Sequence, residues 1–177
     1  MATSFQIQPI GRASKVSLTL ISCACAVLAA LTWACRSTQP ETMLVATVVW
    51  LSLAGLFAWF GVAQAKSSIT VDGQTLVLRL PMYSRTIDLD RLIPASLTHV
   101  NADTGAPYQL SWRTNGLSVP GYNLGWFQTR TEGKVLAAMT RNDAVACKTK
   151  DGYSVLVSIA DSEGFVDAVR QALTRNV

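Results

Sequence analysis

The sequence predicts a two-helix transmembrane hairpin followed by a β-rich α+β domain. Three observations carry this. Two long apolar runs lie close together near the start, Val16 to Cys35 and Met43 to Ala65, with no Asp, Glu, Lys or Arg in either. A polar connector of seven residues, Arg36 to Thr42, joins them. From Ser67 onward the apolar residues alternate with polar ones, turn signals recur at short intervals, and the chain closes on an amphipathic helical pattern.

The runs are about 20 and 23 residues long. A bilayer core about 30 Å thick takes roughly 20 apolar residues of helix, so each run is long enough to span it. So short a connector only reverses the chain, and both chain ends then lie on one side. Arg12, Lys15 and Lys66 flank the helices on that side, whereas the connector has Arg36 beside Glu41. The excess of cations assigns the shared side to the cytoplasm. The expected organisation is an N-terminal cytoplasmic tail at 1–15, the hairpin at 16–65 (helices 16–35 and 43–65), and the folded domain at 66–177. The expected location is the cell (inner) membrane, crossed twice, with both termini cytoplasmic.

Other readings of the first run are weaker. Leu20-Ile21-Ser22-Cys23 resembles a lipoprotein cleavage motif, but the apolar stretch before Cys23 is short, and Ala24 to Ala34 stays apolar after it. Ser22, Ala26, Ala30 and Ala34 form a strip of small residues on one helical face, with Ala54 and Ala58 at the same spacing in the second run. Such strips let helices approach closely. The simpler assignment joins the two helices of one hairpin, and the alternative is a face for self-association. No ionisable residue lies inside either span, which argues against a transporter, pump or channel.

Composition narrows the rest. After residue 65 there are 12 Lys or Arg against 10 Asp or Glu, with no basic stripe, so a nucleic-acid partner is not indicated. Cys23, Cys25 and Cys35 fall in the first run and Cys147 in a strand. Their spacing suggests neither a disulfide framework nor a zinc site, in keeping with a reducing compartment.

In the domain, Ile69 to Val71 and Leu76 to Leu80 flank Asp72-Gly73, a hairpin signal. Pro81 closes the second strand and Tyr83 to Leu89 alternates as a third. Residues 90–107 suggest a helical turn or strand before a loop at Asp103-Thr104-Gly105. Tyr108 to Thr114 reads as a strand closed by Asn115-Gly116. Trp126 to Arg130 and Lys134 to Thr140 flank a turn at Thr131-Glu132-Gly133, and Val145 to Thr149 and Tyr153 to Ile159 flank Asp151-Gly152. Asp161 or Ser162 can cap a last helix whose stripe is Phe165, Val166, Val169, Ala172 and Leu173.

About seven strands and one C-terminal helix suit a bent antiparallel sheet plugged by that helix. With Arg113-Thr114-Asn115-Gly116, Pro120-Gly121-Tyr122, Gly125-Trp126-Phe127, Gly133-Lys134-Val135-Leu136 and Asp151-Gly152-Tyr153, the segment resembles the bacterial pleckstrin-homology-like (PH-like) domains of small membrane proteins, over about residues 68–175. The resemblance implies a PH-like fold and an adaptor or assembly role without a defined reaction. Phosphoinositide binding is not implied, because the first hairpin turns through Asp72-Gly73-Gln74 with only Arg79 farther along.

Candidate chemistry is sparse. His99 is the only histidine, so a histidine metal cluster is excluded. Gly116-Leu117-Ser118-Val119-Pro120-Gly121 resembles a nucleophile elbow, with Pro120 where that motif needs Gly. The alternative functions are a membrane-associated hydrolase or other enzyme using Ser118 (with His99 in a triad) or the pair Asp88 and Asp90, and an anionic-lipid-binding domain. Asp88 and Asp90 are a close acidic pair, read as a solvated edge. No cofactor, metal or small-molecule substrate is indicated. The expected partners are the lipid bilayer and a protein partner or a second copy. Lys66, Lys148 and Lys150 are the candidate contacts to anionic lipid, the last two on the assumption that alternate strand residues share a face.

Overall fold

The computed structural model describes residues 2–37, 39–102, 107–140 and 142–175. The chain runs β1 (Ala2–Gln6), α1 (Arg12–Ala34), α2 (Pro40–Ala63), β2 (Ser68–Asp72), β3 (Thr75–Arg79), β4 (Arg85–Asp88), β5 (Thr98–Asn101), β6 (Leu110–Val119), β7 (Tyr122–Thr129), β8 (Lys134–Met139), β9 (Asp143–Lys148), β10 (Ser154–Val157) and α3 (Ser162–Arg175).

Helices α1 and α2 form an antiparallel hairpin. Pro40 occupies the first turn of α2 with Glu41 beside it, which suits both the fixed φ of Pro and the helix dipole. At about 1.5 Å per residue each helix is roughly 35 Å long, enough to cross a bilayer core. Only 17% and 6% of their most apolar windows are buried inside the structure, whereas the core helix of a soluble domain is mostly buried. Val16, Leu20, Val27, Leu31, Val45, Val48, Leu51 and Val62 all face outward. Between the helices the Ser22 hydroxyl donates to the Ala54 carbonyl at 2.9 Å, and the Thr32 and Thr47 hydroxyls share a hydrogen bond at 2.8 Å. The buried α1 residues are Ser14, Leu18, Cys25 and Ala29. This corrects the expected interface: Ala26, Ala30, Ala34 and Ala58 are exposed, so most of the small-residue strip turns away from the partner helix.

The strands form two sheets. The first is four-stranded in the order β1-β2-β3-β4 and the second six-stranded in the order β5-β9-β10-β8-β7-β6. All neighbours are antiparallel except β8 and β10. One core lies between the sheets and α3, joining Ile69, Leu76 and Leu78 to Leu124, Val145, Val155 and Val169. It reaches into the helical hairpin through Leu18 and Phe60. A second cluster, with Phe127, Val135, Ala146 and Leu156, lies on the opposite face of the six-stranded sheet. Strand alternation explains the division: Val145 and Cys147 enter the first cluster, Ala144 and Ala146 the second. Helix α3 starts where the Asp161 carboxylate accepts the Gly164 N–H at 3.0 Å, and its apolar stripe buries Phe165, Val166 and Val169.

Several expectations change. Residues 1–15 are not simply a tail, since Ala2–Gln6 is an edge strand paired with β2, Ala2 opposite Asp72 and Gln6 opposite Ser68. The Asn115-Gly116 pair does not end its strand. β6 continues to Val119 with two register shifts and turns at Pro120-Gly121, where Gly121 has φ 73°. The strand expected over Tyr83 to Leu89 shortens to Arg85–Asp88. Nine strands follow α2 among the described residues, against about seven expected. Residues 89–101 form two short 3-10 turns, Leu89–Arg91 and Pro94–Ser96, and then β5. The loop expected at Asp103-Thr104-Gly105 lies outside the described residues. The turns at Asp72-Gly73, Thr131-Glu132-Gly133 and Asp151-Gly152 form as expected, with left-handed backbone at Gly73, Gly133 and Gly152.

Candidate interaction surfaces

The base of the domain is where the hairpin joins it, and it does so twice. Before α1, the Ile7 N–H donates to the Ser67 carbonyl at 3.3 Å and the Gln8 N–H to the Ser158 carbonyl at 2.9 Å. After α2, the Gln64 side-chain amide donates to the Gln8 carbonyl at 3.4 Å. The Ser14 hydroxyl, fully buried, donates to the Pro120 carbonyl at 2.8 Å in the β6–β7 turn. Around this base Arg12, Lys15 and Lys66 are exposed. The β3–β4 turn lies at the same end, because Arg79 pairs with Ser68. It presents Met82 with φ 64°, a left-handed conformation uncommon outside Gly, and leaves its side chain 66% exposed.

Lys148 and Lys150 are not on this base and do not share a surface. Lys148 ends β9 on the side of the second core cluster and forms an ion pair with Glu132 in the β7–β8 turn. That hydrogen-bonded carboxylate pushes the Lys148 ammonium above its ordinary pKa. Thr149 bridges to Leu92, and the turn that follows breaks strand alternation. Lys150 is thereby carried to a groove on the other side, where its N–H donates to the Arg91 carbonyl at 2.7 Å. Of the three expected lipid contacts, only Lys66 lies where the helices meet the domain.

That groove has a volume of about 1030 Å³ and is assembled from the β2–β3 turn, the end of β4, the two 3-10 turns and the last turns of α3. Ile93, Pro94 and Leu173 give it an apolar lining above the buried Leu92, Asp88 and Asp90 stand on the β4 side, and Lys150 and Arg170 also border it. All four charged residues are exposed, and none has a side-chain hydrogen bond or ion pair among the described residues. Close by, Arg91 and Asp151 are paired at 2.9 Å. The acidic pair read as a solvated edge thus borders a built cavity. Sequence spacing could not show this, since its parts lie at residues 74–75, 88–94, 150 and 170–174.

A second cluster gathers Arg85 over Trp126 at 5.2 Å and over Tyr153 at 5.7 Å, with Lys134 over Trp126 at 4.4 Å. Trp126 and Tyr153 meet edge to face at 5.2 Å. Here the aromatic faces are already covered by the chain's own cations, a packing arrangement that ties β4, β7, β8 and the start of β10 together.

Ser118 and His99 are not brought together. Ser118 lies on β6 and His99 on β5, the two edge strands of the six-stranded sheet. The Ser118 hydroxyl bonds instead to the Asn123 side-chain oxygen at 2.6 Å. All four cysteines are free, with burial pushing the Cys147 thiol up in pKa. Among the described residues no three His, Cys, Asp or Glu side chains converge as metal ligands.

Residues 67–173 match the family model described as bacterial PH domain. No curated protein and no solved structure matches the chain.

Proposed function

Because the chain belongs to the bacterial PH domain family over more than half its length, we propose that it is a non-enzymatic interaction or assembly module. In this reading the helical hairpin crosses the cell (inner) membrane twice, both termini are cytoplasmic, and the domain is presented at the cytoplasmic surface. The observation that carries it is the double junction between hairpin and domain, through Gln8, Ser14, Gln64 and Ser67. Two apolar helices with outward-facing Val and Leu are joined to a PH domain by hydrogen bonds on both connections and by a shared core at Leu18 and Phe60. A domain fixed this way keeps one set of surfaces toward the bilayer and another toward the cytoplasm. An interaction role, in place of hydrolysis, is supported by the separation of Ser118 from His99 on opposite edge strands.

The test is site-specific cross-linking from the domain in intact membranes, with photoreactive residues placed at exposed positions. A specific partner protein or a second copy should be captured. Recovery of neither, under every growth condition tried, contradicts the proposal.

A second reading concerns lipid. Arg12, Lys15 and Lys66 cluster at the base, and each Lys or Arg near an anionic leaflet contributes about 1 kcal/mol. These three, and not Lys148 or Lys150, are proposed to bias the domain against the membrane surface. Depth-dependent quenching of a fluorophore at Met82 should weaken when the three are reversed in charge; an unchanged depth contradicts it.

A further inference from the structure

The groove beside α3 goes one step beyond this reading, on which it rests. We infer that it is a docking site for an extended peptide segment of a partner protein. The segment would carry an apolar residue for Ile93 and Leu173, a basic residue for Asp88 and Asp90, and an acidic residue for Lys150 and Arg170.

The charges argue for an occupant of this kind. Two acids, Asp88 and Asp90, and two cations, Lys150 and Arg170, border one groove with no ion pair among the described residues, so both signs are available to an occupant. A ligand of one sign would be attracted by one pair and repelled by the other. A segment with both signs, separated by an apolar residue, satisfies both and covers the apolar lining. Charge complementarity of this type sets register and excludes wrong partners.

Position argues against a lipid headgroup. Strand β2 leaves the hairpin at Ser68 and runs away from it to Asp72, and the groove begins at Gln74 and Thr75 beyond the turn. Helix α3 starts near the base, where the Ala160 N–H donates to the Gln6 carbonyl at 3.2 Å, and reaches the groove with its last turns. The groove therefore lies a strand length from the hairpin. Its size, at the upper end of about 300–1,000 Å³ for small-molecule pockets, suits a few residues of extended chain.

The experiment selects phage-displayed random dodecapeptides on the full chain in phosphatidylcholine–phosphatidylglycerol nanodiscs, subtracting binders to empty nanodiscs. The four groove charges are exposed, so substituting them leaves the core intact. Selected peptides should combine a basic, an apolar and an acidic residue, and bind at least tenfold more weakly to Lys150→Glu/Arg170→Glu. Exchanging the peptide's acidic residue for a basic one should restore binding to that variant. No enrichment over empty nanodiscs, equal binding to the variant, or displacement by anionic vesicles overturns the assignment. Partner capture that survives the double substitution would sink the groove and leave the interaction module standing; absence of any captured partner would sink the module itself.

Discussion

Gly116 of β6 and Gly125 of β7 face each other across the hairpin, so close that neither position has room for a side chain. A Cβ on Gly116 would run into the Leu124 carbonyl oxygen, and one on Gly125 into the Asn115 carbonyl oxygen. Both have left-handed-side backbone, with φ 152° and 116°. Gly125→Ala should therefore cost about 2–4 kcal/mol, from backbone strain and overpacking together. Gly73→Ala, with φ 47° and open space around it, should cost about 1 kcal/mol, the backbone share alone. Urea unfolding of the full chain in detergent, followed by Trp fluorescence, measures both. Equal losses at the two positions would contradict the close-approach argument.

Phe5 ties the first strand to the last helix. Its ring meets Phe165 edge to face at 5.6 Å, and it belongs to the main core although it lies some 60 residues from its strand partner Ile69. Phe5→Ala should destabilise the domain by about 3 kcal/mol, the low end for a buried aromatic. Amide exchange in β2 should accelerate in parallel as its outer neighbour loosens. If residues 2–6 were a free tail, neither quantity would move.

Alkaline pH should weaken this fold. Burial raises the pKa of Tyr122, Tyr108 and Cys147, and Glu132 raises that of Lys148. Each of these groups holds its proton more tightly folded than unfolded. Their contribution is complete below the unfolded values, about 8.5 for Cys and 10 for Tyr, and is lost as pH climbs past them. Tyr122 also has a buried hydroxyl with no hydrogen-bond partner among the described residues. Tyr122→Phe should therefore raise stability by about 1 kcal/mol at pH 7. Its advantage over the wild type should grow between pH 9 and 11. A variant less stable than wild type at pH 7 would point to a bonded hydroxyl.

The parts of this fold that sequence reveals are those written in local periodicity. The two apolar runs, the α3 stripe from Phe165 to Leu173 and the Gly turns at 73, 133 and 152 are all of that kind. β1 escapes because Ala2–Gln6 is short and its partner, β2, lies beyond the whole hairpin. Asn115-Gly116 reads as a turn because a turn and a close strand approach both require Gly, and only the partner Gly125 separates the two cases. The lysines mislead for a related reason: alternation assigns faces only while the strand lasts, and β9 ends at Lys148. The groove is illegible in sequence, since Asp88, Lys150 and Arg170 meet only after both sheets and α3 have packed.

The cations at the base make a separate prediction about orientation. Arg12, Lys15 and Lys66 outnumber Arg36 at the hairpin's far end. Reversing all three to Glu while adding two Lys beside Arg36 should invert part of the population, as cation bias sets topology. A fluorescent protein fused to the C-terminus, which folds poorly outside the cytoplasm, would then lose signal. Full signal in this variant would show that the domain's own folding, not charge, decides orientation.

Paired topology reporters in the wild-type chain, one after Val177 and one within residues 37–41, test most directly whether the hairpin crosses the membrane. The C-terminus should read cytoplasmic and the connector exterior. Cytoplasmic readings at both sites would mean that the hairpin does not cross the membrane, and an exterior C-terminus would put the PH domain and its groove on the wrong side.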